Sequence, residues 1–507
     1  MYFIGVDIGT SGTKAVCMDE AGDLKNSWFV SYGFEHMARG IRELDPETVW
    51  KAVLICIREV CRGCEVGSIT VSSMGESVIA VDKDGMCLTK GITGTDVRGR
   101  EECRRFIQKI GNRCITEVTG LPADSLYSLS KILWMKSHSP RLFERIWKIF
   151  SFQDFIIYRL CGDAVMDYSV ASRTMLFDYR TCKWSGRLFT QAGLSKSLMS
   201  KTVQAGSVAG NMRKEIKQKL GCSGTCLILA GCHDHIANAI GAGVCRAGEC
   251  VNAAGTTEGL TVMMEPGVLT ESKVEQYKIS CEPSAMEGMY NTVAWSNASG
   301  SILRWLVRDV LKENQNICFG ELNGSIQYEP TKLYVLPHFS GAATPYTDDR
   351  SKGAILGLTL DVGREELYQA VVEGIQMELY AIYKCLIHSG VPVNKIVSTG
   401  GALSNEILQM KADILGCEIH TVKCEQTGAA GGAILGAVSN GIYNTVDEAV
   451  NAMVKVGKTV IPDMKRHEAY GNKVRIYDVL YTYLREINHA IDKAGVTDNR
   501  HSDSGIK

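Results

Sequence analysis

Two apolar runs open the chain, and the turn between them is richer in small and hydroxylated residues than a hairpin needs. Tyr2-Phe3-Ile4-Gly5-Val6 ends on the carboxylate of Asp7. Gly9-Thr10-Ser11-Gly12-Thr13 turns, and Lys14 leads into Ala15-Val16-Cys17-Met18. Apolar runs on either side of a glycine- and hydroxyl-rich tip predict a β-hairpin. The tip offers backbone N–H groups that glycine leaves open, the hydroxyls of Thr10, Ser11 and Thr13, and the Lys14 cation. Those are the parts of a phosphate cradle. Asp7, at the strand end, is placed to hold Mg²⁺ through water. A hydroxyl-rich turn without a ligand would look the same, so the turn does not decide function alone.

The design recurs. Glu249 to Ala254 predicts a strand, Gly255-Thr256-Thr257-Glu258-Gly259 a second Gly-Thr turn, and Leu260 to Met264 a returning strand. A chain of 507 residues has room for two or more domains. The repetition predicts two α/β domains, 1–246 and 247–507, facing one another and each giving a hairpin to one phosphate chain.

Other stretches place the chemistry. Asp45-Pro46-Glu47 opens a helix over Val49–Val60, with Asp45 as N-cap and Pro46 at the first helical position. Ser68–Ser73 is a β-branched strand ending in Gly75-Glu76, where a pocket residue of an α/β sheet would sit. Asp96 and Arg98 share a polar loop, which suits a solvated surface pair as well as a site. Tyr127 precedes a helix through Trp134. The strand Cys226–Ala230 runs into Gly231-Cys232-His233-Asp234-His235, with a helix from Ile236 to Gly241. Asp234 could cap that helix or act as a base, and the two roles are compatible. His233 reads equally as a packing residue or a substrate contact; His235, next to the base, is the better contact candidate. In the second half, Gly300 begins a helix containing Arg304. A long helix is predicted over Arg364–His388. The strand Lys395–Thr399 meets Gly400-Gly401-Ala402-Leu403-Ser404-Asn405 at a helix N-terminus, a natural nucleotide contact. Gly428-Ala429-Ala430-Gly431-Gly432-Ala433 begins a small-residue helix suited to close packing, and the tail beyond Val496 is expected to fray.

Composition narrows the partners. The formal net charge is −1, so no global field favours nucleic acid or an anionic membrane. The longest apolar stretch, Cys226–Val244, is broken by His233, Asp234, His235 and Asn238 and does not read as a membrane span. The start lacks a basic region before an apolar one, so no signal peptide is expected. Nineteen cysteines are scattered without paired zinc spacing, and Cys61-Arg62-Gly63-Cys64 has no second pair. They read as thiols of a reducing cytoplasm. The partners expected are therefore neither nucleic acid nor a membrane, and a homodimer is left open.

In order from Tyr2 to about Gly441, these stations resemble the FGGY carbohydrate kinase family. The resemblance rests on Asp7-x-Gly9-Thr10 with Lys14 and on Gly231-x-His233-Asp234 before a helix. It rests also on Gly353-x-Ile355-x-Gly357-Leu358, followed after seven residues by Glu366-Leu367-x-x-Ala370-Val371-Val372-Glu373. Lys131–Met135 fits the N-terminal signature only in its second half, with Leu126 off-pattern. The resemblance implies two ribonuclease H-like (actin-like ATPase) domains with ATP and sugar in a central cleft. It implies that Thr10, Ser11, Gly12 and Lys14 touch the ATP phosphates, with Gly255 and Thr256 from the other domain. Gly300, Arg304, Gly401, Ala402 and Asn405 would line the adenosine pocket, and Asp7 and Asp234 would sit near Mg²⁺. Asp234 matches the catalytic base; Glu76, Asp96, Arg98, Tyr127 and His235 fall where relatives hold substrate hydroxyls. The expected reaction moves the γ-phosphoryl group of ATP to a primary hydroxyl of a ketose or sugar alcohol, xylulose or another pentulose or deoxy-ketohexose. The alternatives are a catalytically weak sugar sensor and a kinase of glycerol or another alditol. Glycerol kinases carry Arg-Glu where this chain has Gly75-Glu76, which argues against glycerol. A chaperone or filament protein of the same superfamily would leave the sugar-site acids without a role.

Overall fold

The computed structural model describes residues 1–34, 40–401 and 403–501, and for 315–318 and 495–501 the backbone only. The chain divides into two compact units. The first comprises Met1–Val251, Thr261–Thr292 and Val422–Val456; the second comprises Asn252–Leu260, Val293–Thr421 and Gly457–Lys507.

The first unit is built on a six-stranded sheet with the order Val208–Asn211, Leu227–His233, Val66–Ser73, Tyr2–Ile8, Gly12–Asp19, Leu24–Ser31. The predicted hairpin is its centre: Tyr2–Ile8 pairs antiparallel with Gly12–Asp19 in unbroken register, Asp7 opposite Lys14. Tyr2–Ile8 pairs parallel with Val66–Ser73, and that strand pairs parallel with Leu227–His233. Three strand ends therefore lie at one edge of the sheet, carrying Asp7, Gly75-Glu76 and His233-Asp234. In α/β sheets ligands bind beyond those carboxyl ends. The helix Pro46–Val60 starts where expected, with Asp45 accepting from the backbone N–H groups of Glu47 and Thr48. Its apolar face packs into a core of Val, Ile, Phe and Cys side chains that includes Ile4, Val6, Ile69 and Phe155.

The small-residue helix, Thr427–Ser439, packs with backbone against backbone. A Cβ on Gly5 would lie 1.7 Å from the Ala429 carbonyl oxygen, and one on Gly431 would lie 2.0 Å from that of Ala237. Only glycine permits this approach. The helix thereby touches both the first strand and the helix Asp234–Gly241.

In the second large sheet the strands Tyr290–Ser296, Glu258–Met264, Glu249–Ala254, Lys395–Thr399 and Ile419–Val422 are successive neighbours. The long helix Arg364–His388 has the predicted bounds, and its apolar residues pack with Leu333, Val335 and Leu336. The final helix runs Met464–His501, beyond the point where fraying was expected. Among the described residues no helix is long and apolar enough to cross a membrane. The described cysteines are free thiols. The C-x-x-C pair does not stand by itself: Cys61 and Cys64 are buried, and the Sγ of Cys61 lies 3.3 Å from that of Cys222.

Candidate active site

The N-terminal turn is closed by Gly9 N–H donating to the Gly12 carbonyl at 3.0 Å. Tyr32, which sequence reading overlooked, pins it from inside. Its hydroxyl donates to the Gly9 carbonyl at 2.9 Å and lies 3.0 Å from Thr13 Oγ1. This corrects the expectation for Thr13, whose hydroxyl is buried and engaged, while Thr10 and Ser11 are exposed. Asp7 Oδ1 is buried without a hydrogen-bond partner among the described residues. Burial, reinforced by the Asp234 carboxylate and opposed by Lys14, pushes the Asp7 carboxyl up to about 7.

Asp234 is the first residue of its helix rather than a cap two residues before it; His233 occupies the cap position. Asp234 Oδ1 accepts the His235 N–H at 2.8 Å and lies 3.2 Å from His233 Nε2. Its other oxygen has no protein donor among the described residues, and 30% of the side chain is accessible. The carboxyl is deep yet open: burial, then the neighbouring Glu76 carboxylate, push it up to about 7. Burial followed by the Arg173 cation lowers both His233 and His235, so both rings are neutral near pH 7. Atoms of His233, Asp234 and His235 come within 4.8 Å of one another.

Glu76 has a positive φ of 56° and sits at the centre of an ion network that sequence reading missed. Arg173 Nε donates to Glu76 Oε1 at 2.5 Å, and Arg173 Nη1 donates to Glu282 Oε1 at 2.5 Å. The guanidinium lies 5.1 Å from the ring centroid of Tyr127 and is almost wholly buried. Burial alone would lower the Arg173 pKa, but Glu282 and Glu76 outweigh it and hold the cation charged. Arg173 follows a short helix, Tyr168–Ser172, capped by Asp167, which accepts from the Ser169 and Val170 N–H groups. The glycine before Glu76 makes room for this arm. A Cβ at Gly75 would meet Arg173 Cγ at 2.8 Å and His233 Nε2 at 3.2 Å. Glu76 thus draws its cation from a residue 97 positions away in the chain.

Asp96 and Arg98 are engaged with each other, and Asp96 is buried rather than solvated. Arg98 Nε and Nη2 donate to Asp96 at 2.8 and 2.7 Å, and the Arg98 and Arg42 N–H groups donate to it as well. Arg98 also reaches Glu43 and lies over the Trp134 ring. The loop is tied down by Lys131, whose ammonium donates to the carbonyls of Gly94, Ser125 and Leu126.

In the second unit, Gly255 and Thr256 form an exposed turn against the N-terminus of the helix Gly300–Trp305. The Gly300 N–H donates to the Gly255 carbonyl at 3.1 Å, and Arg304 Nη2 donates to Thr256 Oγ1 at 2.9 Å. Gly401 faces open space, and Asn405 is the first residue of the helix Asn405–Leu415, its Oδ1 bonded by Lys458. Ala402 lies outside the described residues. Beneath the turn lies a closed network. Lys411 Nζ donates to Glu258 Oε1 at 2.8 Å and to Asn252 Oδ1; Ser299 Oγ donates to Glu258 Oε2 at 2.8 Å; Ser398 Oγ donates to Asn252 Oδ1 at 2.9 Å.

Residues 2–241 match the N-terminal domain, and 250–440 the C-terminal domain, of the FGGY family of carbohydrate kinases. The chain is 26% identical over 486 residues to a xylulose kinase of Staphylococcus xylosus, covering 95% of this chain and 99% of that protein. It superposes on a gluconate kinase from Lactobacillus acidophilus with a TM-score of 0.86 at 25% identity, covering 95% and 98% of the two chains. The same score and identity hold for a ligand-bound xylulose kinase from that organism, at 96% and 98% coverage. The chain belongs to the FGGY family of carbohydrate kinases.

Proposed function

We propose that the protein transfers the γ-phosphoryl group of ATP to a primary hydroxyl of a ketose or sugar alcohol, with Asp234 as general base. The observation that carries this reading is the Asp234 carboxylate: one oxygen fixed by the His235 amide, the other free of protein donors, the group open to solvent at a strand-to-helix junction. Its elevated pKa near 7 suits proton acceptance at neutral pH. The sugar hydroxyl gives its proton to Asp234 as its oxygen bonds to the γ-phosphorus, and the bond from that phosphorus to the oxygen bridging to the β-phosphate breaks, leaving ADP. Because the transition state of phosphoryl transfer is loose, the protein's work is positioning and charge neutralisation. Thr10, Ser11, Gly12 and Lys14 are assigned to the phosphates, with Gly255 and Thr256. Gly300, Arg304, Gly401 and Asn405 are assigned to the nucleoside. Glu76, Tyr127 and His235 are assigned to the sugar, with the Asp96–Arg98 pair shaping the adjoining loop.

A Mg²⁺ ion fits Asp7 and Asp234. The unpartnered Asp7 Oδ1 and the mutual repulsion of the two carboxylates are the features a cation relieves. When bound it would neutralise phosphate charge.

The test is coupled ADP release with Mg²⁺-ATP against a panel of ketoses, alditols and aldonates, for wild type and Asp234→Asn. One compound should stimulate turnover strongly, and Asp234→Asn should lose roughly 10²–10⁴-fold in kcat while still binding ATP. Near-wild-type turnover in Asp234→Asn would remove it as the base.

A further inference from the structure

Glu282 and Asn291 are wholly buried, and each is left with unused hydrogen-bonding atoms. Glu282 spends Oε1 on Arg173, while its Oε2 has no donor. Asn291 stands directly opposite on the antiparallel neighbour strand, and neither its Nδ2 nor its Oδ1 has a partner among the described residues. Cross-strand partners project from the same face of a sheet within about 5 Å of one another. Buried polar groups in native proteins are rarely left unpaired, so a cluster of them calls for a water or a ligand group to complete it. The cluster adjoins the sugar-site candidates. Glu282 and Glu76 are held by the same guanidinium, which packs over Tyr127, and the Glu282 charge acts on His235.

The missing partner is defined by what the cluster lacks. Glu282 Oε2 needs a donor, and Asn291 needs a donor and an acceptor. A sugar hydroxyl supplies both. A ligand carboxylate supplies no donor, and the charge around it would repel it. Glu76, Glu282 and Asp234 face one guanidinium, whose Nε and Nη1 are already donated to Glu76 and Glu282.

We infer that Glu282 and Asn291 form a hydroxyl-reading subsite that selects a neutral polyol or ketose and rejects aldonates. The inference rests on the kinase reading above and assigns specificity within it.

The test measures kcat/KM for neutral ketoses and alditols against aldonates in wild type, Asn291→Leu and Glu282→Gln, with thermal unfolding of each. The best substrate should be neutral. Asn291→Leu should unfold at the same or a higher temperature, because no protein bond is lost. It should still raise the sugar KM by about tenfold, the equivalent of one hydrogen bond. Glu282→Gln should lower sugar kcat/KM by about tenfold or more and narrow the gap to aldonates. An unchanged sugar KM in Asn291→Leu would mean that the cluster takes water, and would overturn the inference. An aldonate as best substrate would overturn it while leaving the kinase standing. If no panel member released ADP, the kinase reading itself would fail, an outcome distinct from the other two.

Discussion

Two buried ion networks invite comparison, one in each unit. Around Lys411 every oxygen of Glu258 and the Asn252 carboxamide oxygen has a protein donor, and one cation meets one anion. Around Arg173 one cation meets two carboxylates, Glu282 Oε2 is unpaired, and the Nδ1 of nearby His233 is also without a partner. Both networks are buried, so burial does not separate scaffold from site. Completeness does. A closed, neutral network has nothing left to offer a ligand, whereas an open one with excess charge is stable only because something else completes it or because the fold tolerates the cost.

The comparison can be broken at its closed half. Lys411→Met leaves the Glu258 charge buried without its cation and should cost about 3–5 kcal/mol of stability, read by urea unfolding. A loss no larger than that of a surface substitution would show that the Lys411 network is not the scaffold it resembles. A smaller effect is expected at the open half. Gly75→Ala drives a methyl into Arg173 Cγ and His233, and overpacking of this kind costs about 1–3 kcal/mol. Because Arg173 would be displaced from Glu76, the sugar KM should rise along with the loss of stability. A change in stability with sugar KM unaltered would detach the Arg173 network from substrate.

A third test concerns a buried carboxylate held by hydroxyl and amide donors. Asp154 accepts from Ser151 N–H, Ser151 Oγ and Ser200 Oγ, and burial pushes it up to about 7 despite those bonds. Its folded pKa lies above the unfolded value of about 3.9, so the stability it contributes is full below that value and declines as pH rises to about 7. Asp154→Asn should remove that slope. Stability measured from pH 4 to 8 should therefore fall more in wild type than in the variant, and parallel curves would contradict the assignment.

What sequence could reveal follows from range. The hairpin, the Asp45-Pro46 cap, the His233-Asp234 junction and the helix Arg364–His388 are written in neighbouring residues and were readable. Arg173 is not, because its partners are 97 and 109 positions away and nothing beside it in the chain announces them. Glu282 and Asn291 sit in short mixed stretches, Cys281-Glu282-Pro283 and Tyr290-Asn291-Thr292, that announce no site, and only the pairing brings them face to face. Tyr32 is hidden for the same reason: it holds a turn that precedes it by some twenty positions. Asp96 and Arg98 are legible as a pair from their spacing, but their burial depends on Arg42, Glu43 and Trp134.

The glycine contacts of the helix Thr427–Ser439 bear on how such an enzyme could change. Asp7 and Asp234 belong to a strand and a helix that meet this helix main chain to main chain, at Gly5 against Ala429 and at Gly431 against Ala237. No side chain there can be exchanged to shift a carboxylate by a fraction of an ångström. Evolution toward a new sugar, natural or directed, would therefore find the chemical groups fixed and the contacts supplied from distant segments free to vary. A mutational library aimed at Glu76, Arg173, Glu282 and Asn291 would search where the molecule can yield, and one aimed at Gly5 or Gly431 would return mostly unfolded chains.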